Sequence, residues 1–363
     1  MHFGVLAAEA AAGGWHPRPS PGVRAPRSGI VPRKPGTATL TPHTLAVLRQ
    51  LEDGQFHSGE AIGRALGITR GSVSNALAHI DEFGLEVHKL HGRGYRLASP
   101  VQWLSRETIL DALGPQARAF ALEVVDETGS TNTDLMQAAN QGAPSGTVRV
   151  AELQTRGRGR RGRDWHSGLG GALTFSLLWR FEQGAGFLSG LSLAVGVALA
   201  RVLRRHGAGD VMLKWPNDLL WRHLKLAGIL IELSGDVMGP TAAVIGVGMN
   251  VRLPGAVKAR IDQPVVDLAR IGVAADRNRL LADLLAELAK VLGRFSLEGF
   301  VPFRDEWNAA HAYQDKMVRL KLPQGAGFEG RVEGAAEDGA LAIATKAGTR
   351  KFYGGELSLR PAS

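Results

Sequence analysis

The densest chemistry in the chain lies in Gly157-Arg158-Gly159-Arg160-Arg161-Gly162-Arg163, followed by Asp164, Trp165 and His166. Alternating glycine lets the backbone approach a ligand closely. The interleaved guanidiniums offer forked donors that match phosphate or carboxylate oxygens. Such a run reads either as a loop that orders around an anion or as an unstructured Arg-Gly tract for nucleic acid. Its place between two strand-like segments, with a Trp and a His directly after it, favours the active-site loop. Lys214-Trp215-Pro216-Asn217-Asp218 sets a cation, an amide and a carboxylate just past a strand end, where α/β proteins place ligands. Taken alone it reads more readily as a structural strand-exit turn.

Three weaker signals accompany these. Lys225-Leu226-Ala227-Gly228-Ile229-Leu230 puts a lysine at the head of an apolar strand. Such a lysine either snorkels to solvent or stands as a fixed ammonium beside the opening left by Gly228. Gly129-Ser130-Thr131-Asn132 joins a strand to a helix. Its hydroxyls cap that helix, or they hold the polar head of a small ligand. Ile245-Gly246-Val247-Gly248-Met249-Asn250 is a glycine-bearing strand, a mark of close packing, with an amide at its end.

The elements that must position these groups follow from periodicity. Strands are expected at Leu122–Asp126, Thr147–Leu153, Leu173–Trp179, Val211–Lys214, Leu226–Leu233 and Ala243–Val251. Helices are expected near Thr131–Gln141, Phe187–His206 and Asn278–Phe295. This α/β region spans residues 101–312. A small all-β unit follows over 313–363, with strands Met317–Leu322, Phe328–Glu333, Ala340–Thr345 and Arg350–Tyr353 and a hairpin turn at Asp338-Gly339. Residues 41–100 read as a winged helix-turn-helix. Leu45, Leu48 and Leu51 mark one helix, Ser58 caps a second, and a third starts after Thr69 with Val73, Leu77 and Ile80 on its apolar stripe. Two short strands joined by His91-Gly92-Arg93-Gly94 make the wing.

The 363 residues carry a net charge of +9 and no cysteine, which excludes disulfides and thiolate metal sites and points to anionic partners. The longest apolar run, Phe187–Ala200, falls short of the roughly 20 residues of a membrane span and reads as a buried helix. Residues 1–40, rich in Ala, Gly, Pro and Arg, read as a disordered extension rather than a signal peptide, because Glu9 interrupts the apolar stretch and no basic segment precedes it. A cytoplasmic location and no membrane association are the expectation. Residues 41–100 hold six basic and six acidic residues, so any contact with DNA depends on where the charges sit. Arg70, Ser74, Asn75 and His79 lie on the exposed face expected for the third helix. Asn75 and His79 could read base edges, and Arg70, Arg93 and Arg96 could hold phosphates.

In order and spacing, these motifs resemble the biotin–protein ligase family over about residues 42–360. The ending Gly354-Gly355-Glu356-Leu357-Ser358-Leu359-Arg360 resembles that family's last domain, and Phe56-His57-Ser58-Gly59-Glu60 resembles the subgroup that doubles as biotin-operon repressor. The resemblance implies an α/β (α+β) multidomain fold: a winged helix, a class II synthetase-like mixed sheet and an SH3-like β barrel. It implies biotin and ATP as substrates, Mg²⁺ on the triphosphate, and no protein-built metal site. Ser130, Thr131, Asn132, Gln154, Gly157 and Gly228 would bind biotin. Arg158, Gly159 and Arg160 would close over the ligand and its phosphate. Lys225 would face the reacting carboxylate, and Arg161, Arg163, Trp165, Lys214, Asn217, Asp218, Asn250 and Arg360 would surround the adenylate. Catalysis would rest on Lys225, Arg160 and Asp218. The implied partners are a biotin carboxyl carrier protein of acetyl-CoA carboxylase, operator DNA and, with adenylate bound, a second copy of the chain. In one respect the sequence departs from the pattern: bifunctional members carry a lysine near the middle of the third helix, and none stands here. A lipoate–protein ligase and a non-enzymatic ligand-sensing repressor are the alternatives.

Overall fold

The computed structural model describes residues 40–235, 239–321, 327–353 and 358–361. The extension expected at 1–40 therefore lies, up to residue 39, outside the described residues. Three short helices open the fold: α1 (Thr44–Arg49), α2 (Gly59–Leu66) and α3 (Arg70–Ala76). Ser58 and Thr69 cap α2 and α3, their hydroxyls accepting the backbone N–H of Ala61 and Ser72, each at 3.0 Å. The wing is the antiparallel hairpin of β1 (Val87–Leu90) and β2 (Gly94–Leu97).

The third helix is shorter than expected. The stripe of Val73, Leu77 and Ile80 is buried, but the helix ends at Ala76. His79 turns into the left-handed region (φ 63°), and a single 3-10 turn, Ile80–Phe83, follows. That break lets Ile80 stay in the core while the chain changes direction toward the wing. His79 thereby leaves the helical face on which the sequence placed it.

After α4 (Arg106–Leu113) comes a seven-stranded sheet, whose first half is β3 (Ala121–Thr128), helix α5 (Thr131–Asn140), β4 (Thr147–Gln154) and β5 (Ala172–Phe181). Helix α6 (Leu191–Arg205) then leads to β6 (Val211–Lys214), β7 (Asp218–Trp221), β8 (Leu224–Gly235) and β9 (Thr241–Asn250). The spatial order is β3-β4-β5-β9-β8-β7-β6; β3 and β4 run parallel, and the other pairs are antiparallel. Strand alternation divides the faces. Leu173, Phe175, Leu177, Ile245 and Met249 join the core under α6 and the long α8 (Arg277–Glu298), which follows the single turn α7 (Gly255–Lys258). Leu178 and Val244 point the other way, toward Leu135 and Ala139 of α5. The apolar run expected as a buried helix over Phe187–Ala200 is helical and core only from Leu191, where α6 begins and is buried along most of its length; Phe187 is exposed in the 3-10 turn before it. Among the described residues no helix is long and apolar enough to cross a membrane.

Strand β7 was not foreseen. A two-residue turn, Arg222-His223, links it to β8 with φ of 45° and 67°. Hairpin turns of this sort are announced by Asn or Gly, and here neither is present.

Helix α9 (Arg304–Ala310) leads into a five-stranded antiparallel sheet: β10 (Met317–Lys321), β11 (Gly327–Ala335), β12 (Leu341–Thr345), β13 (Gly348–Phe352) and β14 (Ser358–Pro361), ordered β13-β12-β11-β10-β14. The β11–β12 turn at Asp338-Gly339 docks on the central unit. The indole N–H of Trp215 donates to Gly339 O at 3.1 Å, and the Ser189 hydroxyl donates to Asp338 O.

The winged helix shares its core with the central unit: Trp103, Leu153 of β4 and Leu169 are buried in one cluster with Val47, Leu48, Leu51 and Val73. The linker is clasped as well. The buried Arg277 guanidinium donates to Gln102 O, to Ala172 O (3.1 Å) and to the buried Glu152 carboxylate (2.8 Å), while Asn278 Nδ2 donates to Trp103 O (3.0 Å).

Candidate active site

On the sheet face that carries α5, a cavity of about 450 Å³ opens between the 158–166 loop, β7, β8, the end of β9 and residues 260–265. Its floor exists because β9 lacks side chains there. A Cβ at Gly248 would overlap the Trp165 indole, and one at Gly246 would overlap the Asn132 amide. The glycines that read as close packing are thus the places where Trp165 and Asn132 lie against the sheet. The buried Nε1 of Trp165 has no partner among the described residues.

One end of the cavity is a neutral polar pocket at the start of α5. Thr131 N–H donates to Gln154 Oε1 at 2.8 Å, and the Thr131 hydroxyl lies 2.7 Å from that of Ser176. Ser176 in turn donates to Asn132 Oδ1 at 2.6 Å. Asn132 Nδ2 donates to Leu230 O (3.2 Å) and to Glu232 (2.9 Å). Both ends of the Asn132 amide are therefore engaged within the protein. Ser130 lines the same end and makes no side-chain cap of α5.

The other end is cationic. Lys225 Nζ stands 2.8 Å from Asp218 Oδ1 and 5.9 Å from the centre of the Trp165 ring, with Gly228 directly beneath it. Arg160 donates to Asn217 Oδ1 at 3.2 Å, and Asn217 Nδ2 donates to Ile229 O at 2.8 Å. Burial draws the pKa of the Arg160 guanidinium below its ordinary value; Arg161 adds to this and Asp218 opposes it. Lys214 lines the cavity beside Asn217.

The Gly/Arg loop is folded back on itself. Gly159 N–H donates to Arg163 O (2.7 Å), and Trp165 N–H donates to Gly157 O (2.8 Å). Arg158 is held by Glu232 at 2.7 Å, while Arg161 and Arg163 are exposed at the mouth. Gly157 borders the cavity without lining it. Asn250 lines it, and its Nδ2 donates to Val266 O at 3.1 Å, tying down the segment that carries Arg260, Asp262 and Gln263.

These last three, with Ser176 and Glu232, went unread in the sequence. Arg260 through Gln263 is a charged loop of ordinary composition, and a lone Ser or Glu in a strand carries no local signal. Arg360 is on β14 opposite Arg319; its side chain, and residues Gly354–Leu357 of the terminal motif, lie outside what is described.

On the winged helix, Arg70 and Asn75 are exposed and Ser74 is half-buried. His79 sits off the helix, 3.6 Å from Glu82. Arg93 and the half-buried Arg96 both place their guanidiniums over the Phe56 ring, at 4.7 and 4.9 Å from its centre.

Residues 124–250 match the Biotin/lipoate A/B protein ligase family, residues 43–96 an HTH domain, and residues 315–360 the Biotin protein ligase C terminal domain. The class is thus a carboxylate-activating ligase with an appended helix-turn-helix. The bifunctional ligase/repressor BirA of Escherichia coli is 37% identical over 318 residues, 88% of this chain and 97% of that protein. The biotin–[acetyl-CoA-carboxylase] ligase of Mycobacterium tuberculosis is 35% identical over 61% of this chain and 82% of its own length. Among solved structures, the biotin protein ligase of Aquifex aeolicus in complex with biotin and ATP superposes with a TM-score of 0.57 at 31% identity, covering 66% of this chain and 99% of that one. The chain belongs to the biotin–protein ligase family, in the branch of bifunctional ligase/repressors.

Proposed function

We propose that this cavity joins biotin to the α-phosphate of ATP and then passes the biotinyl group to a lysine of an acceptor protein. The observation that carries the assignment of roles is a single cavity with a hydroxyl–amide pocket at one end and Lys225, Arg160 and Asp218 at the other. In the first step a carboxylate oxygen of biotin bonds to the α-phosphorus, and the bond to the β-phosphate oxygen breaks, releasing pyrophosphate. Two anions are brought together, so the main task is to neutralise developing charge, which fixed Lys225 and Arg160 do. In the second step a neutral lysine amine bonds to the acyl carbon and AMP leaves. Asp218 would orient that amine and take its proton. Mg²⁺, bound mostly by the triphosphate oxygens and water, would add to that neutralisation. Biotin-dependent exchange of pyrophosphate into ATP, followed by labelling of a biotin-acceptor domain, tests this. Lipoate outcompeting biotin in the exchange would reverse the substrate assignment.

The acceptor we assign is the carrier domain of acetyl-CoA carboxylase, and the winged helix we assign to operator DNA. Residues Ile231–Gly235 of β8 extend past β7 and, among the described residues, pair as a strand only with β9, leaving an edge with Leu233 exposed. Pairing of two such edges would make a dimer with two winged helices, and their effective concentration would offset the neutral charge of each. Sedimentation with and without biotinyl-AMP, beside mobility shifts on DNA upstream of biotin genes, tests the link. An adenylate that moves neither the dimer fraction nor the DNA affinity would reject it.

A further inference from the structure

The hydrogen bonds at the polar end of the cavity direct its side-chain hydrogens into the protein. Asn132 Nδ2 faces Leu230 O and a Glu232 carboxylate already ion-paired with Arg158, so its amide cannot be turned over. Its Oδ1 therefore meets Ser176, and because an amide oxygen carries no hydrogen, Ser176 donates. Ser176 is fully buried and has one hydrogen. At its 2.7 Å contact with Thr131 it can then only accept, and Thr131 donates. The 3.3 Å alternative, from Thr131 to Gln154 Oε1, would also keep that hydrogen inside the protein. Gln154 Oε1 accepts the Thr131 N–H, which leaves Gln154 Nε2 as the donor.

We infer that Ser176 sets the polarity of this pocket, making the Thr131 hydroxyl an acceptor toward the ligand and leaving Gln154 as the donor beside it. The pocket then selects a group with an N–H adjoining a C=O, and rejects one that offers an ether oxygen where the N–H should be. Ser176 is a positioning residue for specificity: it touches no ligand and acts through Thr131. The inference rests on the reading of this end as the pocket for biotin's ureido head.

The test compares biotin with its two cyclic carbamate isosteres, in each of which one ureido N–H is replaced by ring oxygen, by calorimetry on the full chain. The wild type should bind one isostere on the order of 10- to 100-fold more weakly than biotin, the cost of an unpaired buried polar group. In Ser176→Ala the Thr131 hydroxyl loses its 2.7 Å acceptor and keeps only the longer 3.3 Å contact with Gln154, which already takes the Thr131 N–H, so it turns toward the ligand more readily and that ratio should shrink severalfold whatever happens to absolute affinity. Should the alanine variant fail to fold, Ser176→Cys keeps similar volume with a weak donor and acceptor and carries the same comparison. A wild type indifferent to both isosteres, or Ser176 variants with the wild-type ratio, would overturn the inference. Thr131→Val that binds biotin like the wild type would instead overturn the pocket assignment beneath it.

Discussion

Lys225 and Asp218 meet at 2.8 Å because of an irregularity in the sheet. Leu220 pairs with Lys225 and Leu219 with Ala227, so the register of β7 against β8 shifts between Leu219 and Leu220. Asp218 pairs with Gly228, and the slip turns Lys225 onto the face that carries both, so that lysine and aspartate meet side by side, each mostly shielded from solvent. Removing the ammonium therefore leaves the shielded Asp218 carboxylate without its cation and, in the proposed mechanism, the reacting phosphate as well. Lys225→Ala should slow biotin-dependent pyrophosphate exchange by about 100-fold. Exchange at the wild-type rate would remove Lys225 from the mechanism.

Asp218 is predicted to act in the second half-reaction. Asp218→Asn should retain most of the exchange activity while transfer of biotin to an acceptor domain falls by about 10²-fold or more. Single-turnover transfer from preformed adenylate separates the two steps, and an equal loss in both would assign Asp218 to adenylation.

Gly248 tests the floor of the cavity. A methyl group there overlaps the Trp165 indole, which must leave the sheet. Gly248→Ala should weaken biotin binding at least tenfold and cost about 1–3 kcal/mol of stability, the usual penalty of overpacking. Calorimetry and a thermal melt read both, and unchanged biotin affinity would show that Trp165 plays no part in holding the ligand.

Removal of the winged helix is less innocent than its place at one end of the chain implies. A protein of residues 101–363 exposes Leu153, Leu169 and Trp103, all buried in the shared cluster. It should fold with a melting temperature several degrees lower and bind biotin more weakly, because Leu153 adjoins Gln154. A truncated protein equal to the full chain in both would show that the shared core carries no load.

His311 predicts an acid sensitivity. It stacks on Trp307 with ring centres 4.5 Å apart, and burial pulls its pKa from the ordinary 6.5 to about 3. The unfolded chain takes up a proton near 6.5 and the folded chain only near 3. Between these values the unfolded state binds more protons, so stability falls as pH drops, by up to about 1.4 kcal/mol per unit. His311→Phe removes this contribution. Urea titrations from pH 7 to pH 4.5 should show a shallower loss in the variant, and identical slopes would contradict the prediction.

The parts of the site that read clearly in the sequence were those that concentrate chemistry in one stretch: the Gly/Arg loop, Lys214 to Asp218, and Lys225 with Gly228. Their neighbours in the fold were hidden for definite reasons. Ser176 and Glu232 are single polar residues in strands, where period-2 alternation allows any polar residue on one face. Arg260 joins the cavity only because Asn250 anchors the loop that follows it. Strand β7 was masked by a turn built from Arg222 and His223 rather than glycine. The recognition helix read too long because its buried stripe continues through a change of direction at His79.

The shared core has a consequence for inheritance. Leu153 packs among the winged-helix residues, and its neighbour Gln154 lines the cavity. A descendant that had lost every operator it once bound would still be selected to keep this domain folded, because its ligase would falter without it. Persistence of the helix-turn-helix in a lineage is then no measure of whether that lineage regulates biotin genes; drift in its exposed residues, such as Arg70 and Asn75, is the better gauge.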